Sequence, residues 1–487
     1  MLENKDIFTK KFHIDLNKSI RQGIFPGNLK LADVTPVYKK GDRFDKSNYR
    51  PISTLPAASK IFERLLLKQI NNFMDPILSV YQCGFRKNMS AQNCLLYMVE
   101  KWKRCLDNKG SCGVLLTDLS KAFDCLKHDL LIAKLNAYGF DHKALKLIYS
   151  YLTKRFQRVK VNSSYSSWFE ILFGVPQGSI LGPNLFNIDL IDLFLFCIES
   201  FMANYADDNS PFVCDDDYLS VNAKLTKDSE ILLDWFANNW FRANPDKFHF
   251  VSSAFNAENV LTIQNYKITS TKCEKLLGVK IDFELSFDDH VSSLCKKASN
   301  KLHALARISY LMSIEQRSKI MKAFIYSQFG YCPLVWMFHS RKLNNRINNI
   351  HERALRIVYG DHSSTFQTLL QKDKSVTIHT RNIQTLGIEL YKIFNNLAPQ
   401  IMHEILPLRT NLRYPTRAVF ESRNIHTVSY GIRSLAHLGP KIWDIIPQSI
   451  KDCTSLQDFK SKIKKWTPNE CPCKLCIPYI KDLGFLK

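Results

Sequence analysis

Apolar positions at Leu294, Ala298, Leu302, Leu305 and Ile308 recur at three- and four-residue steps, and the segment 291–358 around them is predicted to be helical. The pattern upstream is different. Residues 110 to about 290 alternate short β-capable runs with helical ones. Val114-Leu115-Leu116 is one such run, and Phe201 to Tyr205 is another, followed by a tight turn and a second strand. Residues 1–109 are loop-rich and end in a helical stretch near Ala91 to Leu106, and residues 359–487 are mixed and end in a Cys-rich tail. No repeat or low-complexity linker interrupts this order. Gly and Pro number only 17 and 18 in 487 residues, so the chain is expected to pack continuously as two to four subdomains. The most apolar stretch, Leu190 to Met202, is broken by Asp192 and Glu199 and is too short to span a bilayer, so no membrane partner is expected.

Charge narrows the partner. Lys plus Arg is 67 against 45 acidic residues, a formal net charge of +22, which points to a polyanion, with nucleic acid ahead of an anionic membrane surface. The segment 291–358 carries 12 Lys plus Arg against only Glu315 and Glu352. The first 18 residues mix charges and lack the apolar run of a signal peptide, and the 14 Cys are scattered through apolar segments. Reduced thiols and an intracellular location are therefore expected, with nucleus and cytoplasm not distinguished.

Two acidic sites suggest chemistry. Asp118 ends a predicted buried strand, where a carboxylate is costly unless it is paired or bound to a cation; the plainer reading is a cap for the next helix. Asp207 and Asp208 are adjacent on a hairpin tip, where they repel each other unless a metal neutralises them; the plainer reading is that Asp is a common turn residue. Together the sites supply three carboxylates, the set that holds two Mg²⁺ for phosphoryl transfer.

The motifs themselves carry a resemblance. Tyr205-Ala206-Asp207-Asp208 resembles the YxDD box of reverse transcriptases, LLTDLSKAFD around Asp118 their first palm motif, and GVPQGSILGP from Gly174 to Pro183 the motif between. NYRPIS (Asn48 to Ser53), ANPDKFH (Ala243 to His249), LLGVKID (Leu276 to Asp282) and IHERALRIVYG (Ile350 to Gly360) also match, and the resemblance runs from about residue 15 to 465. Order and spacing resemble the enzymes of non-LTR retrotransposons of the LINE or jockey type.

The resemblance implies an α+β right-hand polymerase: a fingers region over 1–109, a palm of antiparallel sheet and helices over 110–290 (reverse transcriptase domain about 20–282), a basic helical thumb over 291–358, and a mixed C-terminal region over 359–487. It implies an RNA-directed DNA polymerase, a nucleotidyltransferase, working on an RNA template, a DNA primer, their RNA–DNA hybrid and dNTPs. Two Mg²⁺ ions, or Mn²⁺, would be held by Asp118, Asp207 and Asp208, with Lys247 protonating the leaving pyrophosphate. Phe123 would exclude a 2′-hydroxyl, with core packing as the alternative. Gln177 and Gly178 would border the nucleotide, and Lys39, Lys40 and Arg50 would hold its triphosphate, Lys39 and Lys40 being inseparable by sequence. Leu277-Gly278 would grip the primer end, and Lys296, Lys297, Lys301 and Arg307 would track a phosphate backbone. Of the aromatics Phe324, Tyr326, Phe329, Tyr331 and Trp336, most are expected in the core.

Some positions depart from the family pattern. Asn209 replaces a common Thr, Pro211 removes a ladder donor and is expected at an edge or bulge, and Asn184 and Asp189 are polar in a usually apolar helix. The chain has no room for the endonuclease domain that full elements often carry, so it reads as a fragment of a longer element. Some relatives carry a Cys/His zinc knuckle. Here Cys471, Cys473 and Cys476 are spaced C-x-C-x2-C with no His after them, so zinc would need a further ligand, with Cys453 the candidate. The alternatives are a decayed nucleic-acid-binding remnant and an intron-encoded maturase. An RNA-directed RNA polymerase fits Phe123 and YADD poorly.

Overall fold

In the computed structural model, residues 5–254, 259–409, 419–421 and 423–475 are described. The chain forms two compact units that interleave in sequence: one from residues 1–87, 117–209 and 227–248, the other from 88–116, 210–226 and 249–487.

The first unit is built on a mixed sheet. Strand Leu31–Tyr38 pairs antiparallel with Tyr49–Thr54, in a register that sets Val37 opposite Arg50, and parallel with Arg155–Val161. Helices Ala57–Met74, His128–Ala137, His142–Leu152 and Gly182–Asp189 belong to this unit. Its core includes Phe25 stacked on Phe62 and edge-on to Tyr151, each pair with ring centroids 5.1 Å apart. Ala57–Met74 is amphipathic, and its buried stripe Phe62, Leu66, Ile70 and Met74 repeats every four residues. That stripe also carries a charge, Glu63, which is wholly buried. The polar positions of helix Gly182–Asp189 are buried too: Asp189 is 1% exposed. Burial pushes its carboxyl up to about 6, and Lys134 Nζ, 3.5 Å from Asp189 Oδ1 and 2.6 Å from its carbonyl oxygen, supplies the compensation.

The second unit pairs Ser111–Leu116 with both Asp208–Asp215 and His249–Ser252, antiparallel on each side. This is the expected antiparallel sheet. Pairing of Ser111–Leu116 with Asp208–Asp215 stops at Val114–Phe212, one residue short of Pro211, so the missing N–H falls where the ladder breaks. The helix expected at Ala91 to Leu106 spans Ala91–Asp107 and buries Leu95, Met98, Val99 and Trp102. Two hairpins, Val260–Ile263 with Tyr266–Thr269 and Cys273–Leu276 with Val279–Asp282, lead into helix Asp288–Ile308.

On that helix Leu294, Ala298, Leu302 and Leu305 are buried as their spacing predicts, but Ile308 is 47% exposed because it is the last residue of the helix. Lys296, Lys297 and Arg307 face solvent, while Lys301 is half-buried over the Phe324 ring at 6.0 Å. Tyr326, Phe329 and Trp336 lie in the core, whereas Phe324 and Tyr331 are exposed. Among the described residues no helix is long and apolar enough to cross a membrane, and no disulfide is formed.

Candidate active site

The strand Ser111–Leu116 is buried from Cys112 to Leu116 and ends just before Thr117 and Asp118. Asp118 is not a helix cap: the next helix, Ala122–Cys125, is preceded by Lys121 in the left-handed region, with no side-chain cap. Its position is set by backbone bonds to the turn before Lys247. Ser120 N–H donates to Arg242 O at 2.8 Å, and Asn244 N–H donates to Asp118 O at 3.0 Å. Lys247, on the 3₁₀ turn Pro245–Lys247, places Nζ 3.1 Å from Asp118 Oδ2.

The other two carboxylates sit on a turn held by amides. Ala206 takes a left-handed φ of 59°, which tightens the tip. Gly84 lies against it: a Cβ on Gly84 would come within 2.4 Å of Ala206 N, so only glycine fits. Cys83 N–H donates to Asn204 O at 3.1 Å, and Asn187 Nδ2 donates to Gly84 O at 2.6 Å. Asn204 Nδ2 donates to Asn209 Oδ1 at 2.8 Å, and Asn209 Nδ2 to Asp207 O at 3.3 Å. Asn209 therefore braces the turn through a side-chain amide that a Thr in its place would lack. Thr117 joins the two acidic sites: its Oγ1 donates to Asn209 O at 2.6 Å.

The electrostatics agree with this geometry. Burial raises the Asp207 carboxyl above the usual range; Asp118 raises it further, and Arg50 and Lys39 act against the rise. Burial pushes Asp208 up to about 6, with the charges of Asp207 and Asp118 adding to it. Two buried tip carboxylates, both disfavoured by the charge of Asp118, form with it a hard-oxygen donor set that suits divalent cations. Lys247 offsets only part of this charge.

A pH prediction follows. The folded-state pKa of Asp208 lies above its ordinary value, so this group favours folding below the ordinary carboxylate range and opposes it as pH rises through about 6. The effect is on the order of 1–3 kcal/mol. Without divalent ions, Asp208→Asn should raise the thermal midpoint above that of the native chain at pH 7.5, and the gap should narrow from about pH 6 downward and close near pH 4. Mg²⁺ should raise the native midpoint at pH 7.5 and do little at pH 5. Asp189 titrates in the same range, so the informative quantity is the difference between native and variant. A difference that did not change with pH would contradict the assignment.

Around the acidic cluster, Ser53 N–H donates to Gln177 O at 2.8 Å, which ties the strand carrying Arg50 to the Pro176-Gln177-Gly178 turn. Gly178 has a φ of 130°, and a Cβ there would meet Ser53 O at 2.6 Å. Gln177 Nε2 donates to Asp124 Oδ1 at 3.1 Å. Phe123 is half-buried, its ring 4.5 Å from Phe186 and 5.9 Å from Phe85 between centroids. Sequence reasoning missed Glu63. Its Oε2 accepts from Ile180 N at 2.7 Å and Leu181 N at 3.1 Å, and its Oε1 from Ser59 Oγ at 2.9 Å, so a buried carboxylate fixes the chain just after Gly178. A charged residue on the apolar stripe of helix Ala57–Met74 was the available signal.

Asp118, Asp207, Asp208, Lys247, Lys39, Lys40, Arg50, Phe123, Gln177 and Gly178 all belong to the first unit. Leu277, Gly278, Lys296, Lys297, Lys301 and Arg307 belong to the second. There Leu277 and Gly278 form the two-residue turn of a hairpin, with φ of 46° and 86°, and Tyr331 Oη donates to Leu277 O at 2.7 Å.

A family model, Reverse transcriptase (RNA-dependent DNA polymerase), matches residues 37–281, half of the chain. The chain belongs to the reverse transcriptase family. The chain is 26% identical over 387 residues to the probable RNA-directed DNA polymerase from transposon BS of Drosophila melanogaster, covering 75% of this chain and 42% of that protein. It is 26% identical over 363 residues to the RNA-directed DNA polymerase from mobile element jockey of the same fly, covering 71% of this chain and 39% of that protein. The jockey-type resemblance read from the motifs is thus borne out, and the chain spans less than half the length of these relatives. Among solved structures it is similar to telomerase from Candida tropicalis in complex with the TWJ fragment of telomeric RNA: 13% identical, TM-score 0.43, covering 77% of this chain and 60% of that one.

Proposed function

We propose that this chain is an RNA-directed DNA polymerase that adds deoxynucleotides to a primer 3′ end on an RNA template, in the service of retrotransposition. The observation that carries the reading is the joining of Asp118 to Asp207 and Asp208 through the Thr117–Asn209 bond, with both tip carboxylates raised by burial and by the charge of Asp118. Asp118, Asp207 and Asp208 would hold two Mg²⁺, which supply Lewis acidity at the attacking and leaving oxygens. The chain's own groups position the rest. Arg50 and Lys39 draw the triphosphate towards the acidic cluster, and the turn at Gly178 lets the backbone approach the nucleotide closely. Phe123 packs against the sugar, and Lys247 gives a proton to the departing pyrophosphate. The fingers, palm and thumb of a right-hand polymerase fit the order of these parts. The basic helix Asp288–Ile308 would contact the hybrid's phosphates. The maturase alternative is not favoured, because the retrotransposon relatives match across 71–75% of the chain.

The test is extension of oligo(dT) on poly(rA) with Mg²⁺ and dTTP by the purified chain. Absence of extension with salt-sensitive hybrid binding intact would favour the decayed-remnant reading; absence of both in a folded chain would reject the proposal. The same assay separates the two lysines. Lys39→Ala should raise KM for dTTP roughly tenfold, the loss of one charge-assisted contact of about 1.5 kcal/mol. Lys40→Ala should change it little. Equal effects would mean that Lys39 has no special place.

A further inference from the structure

Three thiols meet in the second unit and take no part in the polymerase chemistry. Cys105 lies near the end of helix Ala91–Asp107, Cys112 on strand Ser111–Leu116 and Cys214 on strand Asp208–Asp215. Their sulfurs all lie within 4.8 Å of one another. The sheet register sets Cys112 directly opposite Cys214. Cys112 N–H donates to Ser253 Oγ at 2.8 Å, and Cys112 O accepts from Ser253 N–H at 2.9 Å, so both of its backbone groups turn away from Cys214. The two cysteines therefore form a non-hydrogen-bonded pair, in which Cα atoms approach to about 4.5 Å and side chains lie close. Their sulfurs are 3.3 Å apart. Cys105 closes the triangle. Its thiol donates to Ser111 O at 3.3 Å and to Asp215 O at 3.4 Å, one carbonyl from each strand. Hydrogen bonds from the Cys112 and Cys214 thiols hold Cys105 below the usual thiol range. Gly110 makes the room, because a Cβ there would come within 2.5 Å of Cys105 Sγ. Cys112 is buried, whereas Cys105 and Cys214 are partly exposed. Of the tail cysteines, Cys453 interacts with Asp458 and Lys462, and Cys476 lies outside the described residues.

We propose that Cys105, Cys112 and Cys214 form a peroxide-reactive thiol triad, in which Cys105 reacts first and a reversible Cys112–Cys214 disulfide is the product. The Cys105 thiolate attacks hydrogen peroxide and the O–O bond breaks. Hydroxide leaves, takes up the proton that Cys105 gave up, and becomes water, while Cys105 becomes a sulfenic acid. Cys214 sulfur then attacks Cys105 sulfur, and the hydroxyl leaves with the Cys214 proton as a second water. Cys112 attacks Cys214 sulfur in turn and releases Cys105, its own proton passing to Cys105. Two thiols have lost two electrons and two protons, and peroxide has been reduced to two waters. The register selects this product. A Cα separation of about 4.5 Å lies within the span of a disulfide, at its short end, so no strand has to shift. Bonds at the edge of that span are the more easily reduced, which suits a reversible modification. The crosslink joins residues 102 apart in sequence. It ties the strand that runs into Asp118 to the strand that starts at Asp208, at the ends remote from both carboxylates. It therefore stiffens the two strands that carry acidic residues without touching those residues.

The test is peptide mapping by mass spectrometry of the purified, reduced chain after a small excess of hydrogen peroxide and then alkylation. Cys112–Cys214 should be the main disulfide, and dithiothreitol should return all three thiols. Cys105→Ser should slow formation of the bond by roughly tenfold or more, because it removes the reactive thiolate. Cys214→Ser should form no disulfide here and should accumulate a sulfenic acid on Cys105, trapped by dimedone. Oxidation should raise the thermal midpoint of the native chain, since the bond closes a loop of about a hundred residues in the unfolded state, and should not raise that of Cys214→Ser. Cys295, buried on helix Asp288–Ile308, is the internal control and should stay reduced. Circular dichroism reports whether each variant is folded. Three thiols still alkylated after peroxide in the folded native chain, Cys295 oxidised as fast as the triad, or a folded Cys105→Ser chain that forms the bond at the native rate would each overturn the proposal. So would Cys105–Cys214 as the end product, or a metal ion retained by the triad that shields it from peroxide.

Discussion

Asp207→Ala should lower primer extension by roughly a thousandfold or more, and Asp118→Ala should do the same. A pair of bound divalent ions contributes several kcal/mol to the transition state of phosphoryl transfer, and each 1.36 kcal/mol is tenfold in rate. Both side chains sit at ends of elements whose backbone bonds do not involve the carboxylate, so the fold should survive. Removing Asp207 also relieves a buried charge that Asp118 and burial already disfavour, so the variant should melt no lower than the native chain in the absence of Mg²⁺. Binding of an RNA–DNA hybrid, carried by Lys and Arg, should be changed by only about twofold at fixed salt. Extension that persisted within tenfold of the native rate in either variant would remove these carboxylates from the reaction.

Phe123→Val should erode the preference for deoxynucleotides over ribonucleotides by roughly 10- to 100-fold, the range available to a steric pocket. The ring is fixed by Phe186 behind it and Phe85 at its edge, and it is only half-buried, so one face is left for a ligand. Packing and gating are thus compatible roles for one side chain. Valine keeps a branched apolar group but shortens the wall. A loss of stability of about 1–3 kcal/mol is expected from the cavity, read as a lower thermal midpoint. The deciding measurement is the ratio of dTTP to UTP incorporation in single-nucleotide extension. A lower midpoint with an unchanged ratio would leave Phe123 as a packing residue alone.

Much of this was legible in one dimension. An apolar run ending in Asp118, a strand–turn–strand around Asp207-Asp208, and helical periodicity from Leu294 to Leu305 all depend on neighbours within a few residues, where backbone period and local sterics decide the outcome. The basic excess on the segment 291–358 is likewise a property of composition. The motif set carried the family because the chemistry dictates both its residue types and their order.

What the sequence could not determine depended on residues far apart in the chain. Lys39 and Lys40 are equivalent neighbours until a fold sets the charge of Lys39 against Asp207. Glu63 reads as an odd charge on an apolar stripe until the amides of Ile180 and Leu181, more than a hundred residues later, come to its carboxylate. Gln82, Gly84 and Asn187 look unremarkable in sequence, yet they support the Asp207–Asp208 turn because buried amides must find partners wherever the fold supplies them. His379 meets Cys473 for the same reason: local periodicity is written along the chain, but hydrogen-bond pairing is settled only when burial brings distant donors and acceptors together.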